Sequence, residues 1–249
     1  MNGLSHVRIV LVGTTHPGNI GAVARAMLNM TLQRLYLVRP KSFPHEDATA
    51  RAAGAGALLA QAVVCDDLAS AIADCTLVIG ASVRARSIEL PPLDPAACAE
   101  RVLDHVGRGD VALVFGPEHS GLSNADLDLC QQRVFIPSNP EFASLNLAAA
   151  VQVLAYELYR HADRASPAQK SASPPATREQ LEHFFSHLER VLAQVRFLRM
   201  SNPERGMRRL RALVNRAAPD QNEVQMLRGI LSATEHALAA AEVKASSNA

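Results

Sequence analysis

Residues 7–27 read VRIVLVGTTHPGNIGAVARAM, and the change of pattern inside this stretch decides the class of fold. Val7–Val12 is an apolar run ending in Gly13, the signature of a buried strand in a parallel sheet. From Ile20 to Met30 the apolar residues fall instead at helical spacing. The same alternation continues outward. Leu35–Val38, Val63–Val64, Leu77–Ile79, Val111–Phe115 and Val134–Ile136 have strand character, and Ala48–Leu59, Leu68–Ala73, Pro95–Val106 and Leu145–Tyr159 have helical character. The pattern predicts an α/β domain over residues 1–160, with a mostly parallel sheet and helices on both faces.

Residues 161–177 change character. Ser166, Pro167, Ser171, Ser173, Pro174 and Pro175, with almost no apolar neighbours, predict a flexible linker. Residues 178–249 return to helical spacing. Thr177 with Gln180, and Asp220 with Glu223, make capping boxes. Phe184, Leu188, Val191, Val195 and Leu198 mark one face of a long helix that Asn202–Pro203 stops. Met207, Leu210 and Val214 predict a second helix, and Val224, Leu227, Leu231 and Leu238 a third, with the tail from Ser246 frayed.

A chain of 249 residues suits one large domain or a domain with a smaller companion. Its formal net charge of +1 announces no nucleic-acid partner, so one must be argued from where the charges sit. Aromatics make up only 4% and Trp is absent, which disfavours a stacking platform for single-stranded bases. Met1–His6 is too short and polar for a secretory leader. No apolar stretch approaches the roughly 18 residues that span a bilayer. Cys65, Cys75, Cys98 and Cys130 lack zinc spacing and are expected as buried free thiols in a reducing cytoplasm, with no metal.

Three loops stand at expected carboxyl ends of strands, where open α/β sheets collect ligands. The first, Gly13–Met27, fails both familiar phosphate patterns. Asn19 and Ile20 follow Gly18 where a P-loop needs Lys and then Ser or Thr, and Gly13, Gly18 and Gly21 do not have dinucleotide-fingerprint spacing. What remains is a helix entrance with Asn19 near the cap and Arg25 on the second turn: an ordinary capped turn, or a place for an anion or phosphate. The second, Val111–Leu127, carries Gly116, Pro117, Glu118 and Gly121. Glycine there permits close backbone approach to a ligand. Glu118 either orients a base or is a solvated loop carboxylate, and His119 reads as a surface residue. Ser123 or Asn124 caps the next helix. The third, Val134–Leu158, puts Ser144 and Asn146 at the entrance of an apolar helix. They are an N-cap pair or part of a site, and Ala148, Ala149 and Ala150 leave room for backbone to pass close by.

Together, HPGNIGAVARAMLNM (16–30), ALVFGPEHSGLS (112–123) and IPSNPEFASLNLAAAVQVLAYEL (136–158) resemble motifs one, two and three of the SPOUT-class RNA 2′-O-ribose methyltransferases, in the same order and spacing. VIGASVRARS (78–87) resembles a further strand end of the TrmJ-type tRNA enzymes. Residues 199–232 resemble the C-terminal extension of that subfamily. The resemblance implies a SPOUT fold whose C-terminal part threads a deep trefoil knot, a homodimer, and S-adenosylmethionine as cofactor. Carried over residue by residue, it implies cofactor contacts at Ala81, Ser82, Val83, Gly116, Ile136, Ala143, Ser144 and Leu145. It implies a reaction site at Asn19, Arg25, Glu118, Ser144 and Asn146. Two positions depart from the family pattern: Pro117, where some relatives carry a basic residue, and Ala81, where a hydroxyl residue often touches the cofactor.

Arg25 is the family's key residue, sometimes described as a general base. A guanidinium, which stays protonated in proteins, fits better as a holder of phosphate and of the developing alkoxide. The implied substrate is tRNA, at cytidine or uridine 32. The alternatives are a ribosomal RNA 2′-O-methyltransferase of the same class and a non-catalytic RNA-binding protein. Between Arg196 and Arg216 lie seven arginines, Arg196, Arg199, Arg205, Arg208, Arg209, Arg211 and Arg216, with Glu204 the only acid. Such a cluster is an electrostatic footprint for a phosphate backbone, or else a solvated helix face.

Overall fold

The computed structural model describes residues 3–82, 92–162, 173–198 and 203–247. The expectations placed on Val83, Ser166, Pro167, Ser171, Arg199 and Asn202 lie outside these residues. In chain order the elements are β1 (Val7–Val12), α1 (Pro17–Asn29), β2 (Arg34–Val38), α2 (Glu46–Ala52), α3 (Gly56–Ala60), β3 (Val63–Cys65), α4 (Leu68–Ile72), β4 (Cys75–Ala81), β5 (Pro92–Leu93), α5 (Pro95–His105), β6 (Asp110–Phe115), α6 (Asn124–Asp128), β7 (Gln132–Val134), α7 (Leu147–Ala162), α8 (Arg178–Gln194), α9 (Pro203–Ala217) and α10 (Gln221–Ser247).

The strands form one sheet in the order β3-β2-β1-β6-β4-β7-β5, and every ladder among the described residues is parallel. Strand side chains alternate between two apolar layers, as a period of two requires. Ile9, Leu11, Leu35, Leu37, Val111, Leu113 and Phe115 face α1, α5 and α7. Val10, Val12, Val38, Ala112 and Val114 face α4 and α6. With both faces covered, the sheet is an α/β sandwich of three layers.

Arg8 interrupts the apolar run of β1, yet its side chain is only 1% exposed. It makes paired bonds to Asp74 at 2.7 Å each, a further one to Asp110 at 2.8 Å, and one to the carbonyl oxygen of Ala71 at 2.8 Å. Its guanidinium lies 4.5 Å from the centre of the Tyr36 ring. The buried charge is thereby matched, the condition under which a charge survives desolvation.

Several boundaries differ from the sequence reading. The helix expected over Ala48–Leu59 is divided at Ala53, whose φ of +49° no α-helix accommodates. The two-residue strand β5 was not foreseen. Strand β7 begins at Gln132, which leaves Ile136 beyond its end. Helix α8 stops at Gln194, and Arg196 turns the chain with a φ of +61°. Val195 is therefore 41% exposed rather than on the buried face of a longer helix.

The C-terminal helices have their own small core of Leu181, Phe184, Phe185, Val191, Val224 and Leu231. Both capping boxes are present: Thr177 with Gln180 opens α8, and Asp220 with Glu223 opens α10. These helices are docked on the α/β domain by polar contacts. Arg178, 1% exposed, donates to Glu182, to the carbonyl oxygen of Asp128 at 3.4 Å and to Asn215 at 3.4 Å. Arg208 pairs with Asp128 at 2.9 Å, and Asn215 donates to the carbonyl oxygen of Cys130 at 3.4 Å. The expected linker over 161–177 divides as well. His161 and Ala162 complete α7, whereas Ser173 and Ala176 are buried against the chain ahead of α10. There the Ala176 amide donates to Pro219 and the Gln221 amide to Pro174. Proline and serine content marked this stretch as polar, and at Pro174 and Ala176 its backbone has found partners.

Candidate active site

The carboxyl ends of β4, β6 and β7 open into a cavity of about 320 Å³. Its walls include Ala81 and Ser82 after β4, Phe115–Gly121 after β6, and Val134, Ile136 and Ala143–Leu145 after β7. Ala81, Ser82, Gly116, Ile136, Ala143, Ser144 and Leu145, all expected around a cofactor, thus line one space. They come from three separated segments because three parallel strands end side by side.

Gly116, on the cavity wall, also has a task within the chain itself. A Cβ placed on it would lie 2.3 Å from the Gly121 carbonyl carbon and 2.3 Å from the Leu122 amide nitrogen. The chain's own returning loop makes this close approach. Gly121, at a φ of +64°, supplies the left-handed turn that brings the loop back. Ser123 then caps α6 in a full capping box with Asp126, which decides between Ser123 and Asn124 as the cap.

Beside the cavity, Glu118 ties the β6 loop to the entrance of α1. Its Oε2 accepts from the Thr15 amide at 3.0 Å and the Thr15 hydroxyl at 2.9 Å. Its Oε1 accepts from the His16 amide at 3.3 Å and the Asn19 side-chain amide at 2.8 Å. Burial opposes the charge of this carboxyl. The hydrogen bonds, led by the Thr15 amide and the Asn19 side chain, outweigh burial and hold its pKa down at about 2. A carboxylate so stabilised is a poor acceptor for a hydroxyl proton near neutral pH. It is well suited to fixing two loops.

Asn146 extends the chain of contacts. Its Nδ2 donates to Asn19 Oδ1 at 3.2 Å, and its Oδ1 accepts from the Ala148 amide at 2.9 Å, one of the open donors at the start of α7. One side chain thus both caps α7 and reaches Asn19. Ser144 lies on the cavity wall. Arg25 stands apart: it is exposed on α1 and makes no hydrogen bond or ion pair among the described residues. Asn19, Glu118 and Asn146 bind one another instead. Thr15 was missed by the sequence reading. Its signal was a hydroxyl residue in the first loop, legible only once that loop is known to face Glu118.

The cavity suits the implied cofactor in size and charge. About 320 Å³ falls within the roughly 300–1,000 Å³ of small-molecule sites. The walls are apolar at Ala81, Phe115, Val134, Ile136 and Leu147, and they include the Glu118 carboxylate but no lysine or arginine to repel a sulfonium. Among the described residues no cluster of His, Cys, Asp or Glu is placed to hold a metal ion.

The arginines of the C-terminal region are not equivalent. Arg211 bonds both oxygens of Glu182, at 2.7 and 2.9 Å, and lies 4.5 Å over the Phe185 ring. Arg208 is held by Asp128. Neither presents the open cation that the phosphate-footprint reading assumed. Arg196, Arg205, Arg209 and Arg216 are exposed.

A family model described as the SpoU rRNA Methylase family matches residues 6–156. A second, described as the tRNA methyltransferase TrmJ, C-terminal domain, matches residues 179–244. The tRNA (cytidine/uridine/adenosine-2′-O-)-methyltransferase TrmJ of Pseudomonas aeruginosa is 48% identical over 243 residues, spanning 93% of this chain and 95% of its own length. The tRNA (cytidine/uridine-2′-O-)-methyltransferase TrmJ of Sodalis glossinidius is 44% identical, spanning 94% of this chain and 92% of its own. Among solved structures, TrmJ from Z. mobilis ZM4 superposes with a TM-score of 0.81 at 37% identity, covering 92% of this chain and 98% of that one.

Proposed function

The chain belongs to the SpoU methylase family, and from that premise we propose that it transfers a methyl group from S-adenosylmethionine to a ribose 2′-hydroxyl of tRNA. The observation that carries the proposal is the convergence of Ala81, Ser82, Gly116, Ile136 and Ala143–Leu145 on one cavity, with the Glu118–Asn19–Asn146 chain at its side. When bound, the cofactor supplies an electrophilic methyl. The protein's own work is positioning, which can supply roughly 7–11 kcal/mol when two reactants are held in near-attack geometry. Glu118 locks the α1 entrance against the β6 loop, and Asn19 and Asn146 carry that order to α7. Ser144 presents a hydroxyl on the cavity wall. Arg25 holds the phosphate next to the target ribose and stabilises the developing alkoxide, a role that a planar fork of donors fills and a point charge does not.

The substrate nucleotide is cytidine or uridine 32, and the range of the Pseudomonas relative puts adenosine among the bases to be tested. The 1–160 domain carries a trefoil knot and pairs with a second copy. Leu28 on α1 and Tyr156 and Tyr159 on α7, two helices that pack together, leave 43%, 50% and 48% of their area exposed and offer an apolar face for that pairing. No described helix is long and apolar enough to cross a membrane. All four cysteines are unpaired, as in a reducing cytoplasm, where the enzyme acts.

The test is mass-spectrometric mapping of nucleosides in tRNA incubated with the purified chain and S-adenosylmethionine. The expected result is one 2′-O-methylated nucleotide in the anticodon loop. Methylation of ribosomal RNA alone, or binding of tRNA without methyl transfer, would overturn the proposal.

A further inference from the structure

At the other ends of the same strands lies a second cavity, of about 270 Å³. It sits in the seam between the α/β domain and the C-terminal helices. Thr76 and Leu77 at the start of β4 and Gln131 and Gln132 at the start of β7 form its floor. Arg101 and His105 of α5, Arg108 just beyond it, and Asn215 and Arg216 of α9 supply its polar walls.

Three arginines from two parts of the chain therefore border one space. Asp220 is the only carboxylate bordering it, and that group already caps α10. None of Arg101, Arg108 and Arg216 has an ion pair among the described residues. Arg101 Nε and Gln132 Oε1 are buried without a hydrogen-bond partner. Such unmatched groups are costly, and a ligand in the seam would satisfy them. Rotation of the Gln132 amide exchanges its acceptor for a donor, so this side chain can serve an anion as well. The electrostatics agree. Burial, helped by the charges of Arg101 and Arg108, pushes the His105 pKa down to about 4, so another positive charge is unwelcome there.

We propose that this seam cavity binds a phosphate group, gripped by Arg101 and Arg108 from the α/β domain and by Arg216 from α9. Three arginines around one small space suit a phosphate, which accepts charge-assisted bonds from guanidinium forks. A volume of about 270 Å³ is below the roughly 300–1,000 Å³ of drug-sized sites, so the ligand is a phosphate with at most a small appendage. It is either a free phosphate or small phosphate ester, or one backbone phosphate of bound RNA. Either would bridge the two parts of the chain. The inference does not rest on the methyl-transfer reading, because the cavity lies at the opposite ends of the strands.

The experiment is isothermal titration of the full chain with inorganic phosphate at constant ionic strength, with chloride as the control. Saturable one-to-one binding is expected, and Arg101→Gln and Arg216→Gln should each weaken it about tenfold or more, as loss of a charge-assisted bond does. Arg216 is exposed, so its variant carries the test if Arg101→Gln fails to fold. Competition between tRNA and phosphate would identify an RNA phosphate as the ligand, and independent binding would identify a free one. Absence of saturable phosphate binding to the wild type, or equal binding by a folded Arg216→Gln variant, overturns the proposal.

Discussion

Glu118 and Glu182 are both partly buried carboxylates that gather several hydrogen bonds, yet their donors differ. Glu118 takes its bonds from two backbone amides, a hydroxyl and an asparagine, all neutral. Glu182 takes its bonds from the guanidiniums of Arg178 and Arg211. Neutral donors order the loops around Glu118 and leave its negative charge on the cavity wall, where a sulfonium would be welcome. Guanidinium donors cancel the charge of Glu182 and make it a fastener between helices. The same residue type braces loops beside a cavity in one region and joins two helices in the other.

The largest effect should come from Arg25→Ala. We expect methyl transfer to fall by about a hundredfold or more, the scale of losing a transition-state donor, with cofactor affinity largely kept. Arg25→Lys should remain poor in single-turnover assays. Full activity in Arg25→Lys would break the assignment. Next, Arg178→Ala leaves Glu182 and the seam short of a partner. Breaking a buried pair costs about 3–5 kcal/mol, read as a lower urea midpoint. An unchanged midpoint would mean that the two carboxylates do not differ as described.

The arginine cluster sharpens the contrast. Arg208→Ala and Arg211→Ala should lower stability, each by about 1–3 kcal/mol, because Asp128 and Glu182 lose bonds to a charged donor. Arg209→Ala, at an exposed position, should stay within about 0.5 kcal/mol of wild type. If RNA phosphates meet it, tRNA binding should weaken and the slope of log affinity against log salt should flatten by about one unit. An unchanged slope would make the exposed arginines a solvated face. Deleting the region after about Thr177 would remove both roles at once, so single substitutions are the cleaner measurement.

The smallest effect is on acid stability, and it separates the two ends of the strands. The Glu118 pKa is depressed from 4.5 to about 2. Its contribution is complete above 4.5 and is lost as pH falls toward 2. The His105 pKa is depressed from 6.5 to about 4. The folded state favours neutral His105, so this contribution is complete above 6.5 and is lost as pH falls toward 4. Unfolding midpoints should therefore decline in two windows, with Glu118→Gln flattening the lower one and His105→Asn the upper one. A single window in all variants would contradict the pairing.

Local patterns were readable in the sequence wherever the physics is local. The apolar runs of β1 and β6 and the capping boxes at Thr177 and Asp220 act within a few residues, and the structure contains them. Partners far along the chain were not readable. Nothing near Arg208 indicates that Asp128 holds it, and nothing near Glu118 indicates Thr15 and Asn19. The cavity-lining residues came from family resemblance, since Ala81, Ile136 and Leu145 have no chemistry that would single them out. The seam cavity had no sequence signal, because its arginines belong to different elements and meet only after docking.

The place of β1 in the sheet bears on how the chain leaves the ribosome. Its neighbours are β2 and β6, so one edge of β1 waits until residue 115 has been made. Until then Arg8 also lacks Asp110. At roughly 5–20 residues per second, the hundred residues between them take about 5–20 s to synthesise. During that interval the first strand has an unpaired edge and a cation awaiting its second carboxylate. The centre of the sheet is thus closed late, by a strand from the middle of the message, and a nascent chain cut short before Asp110 cannot complete it.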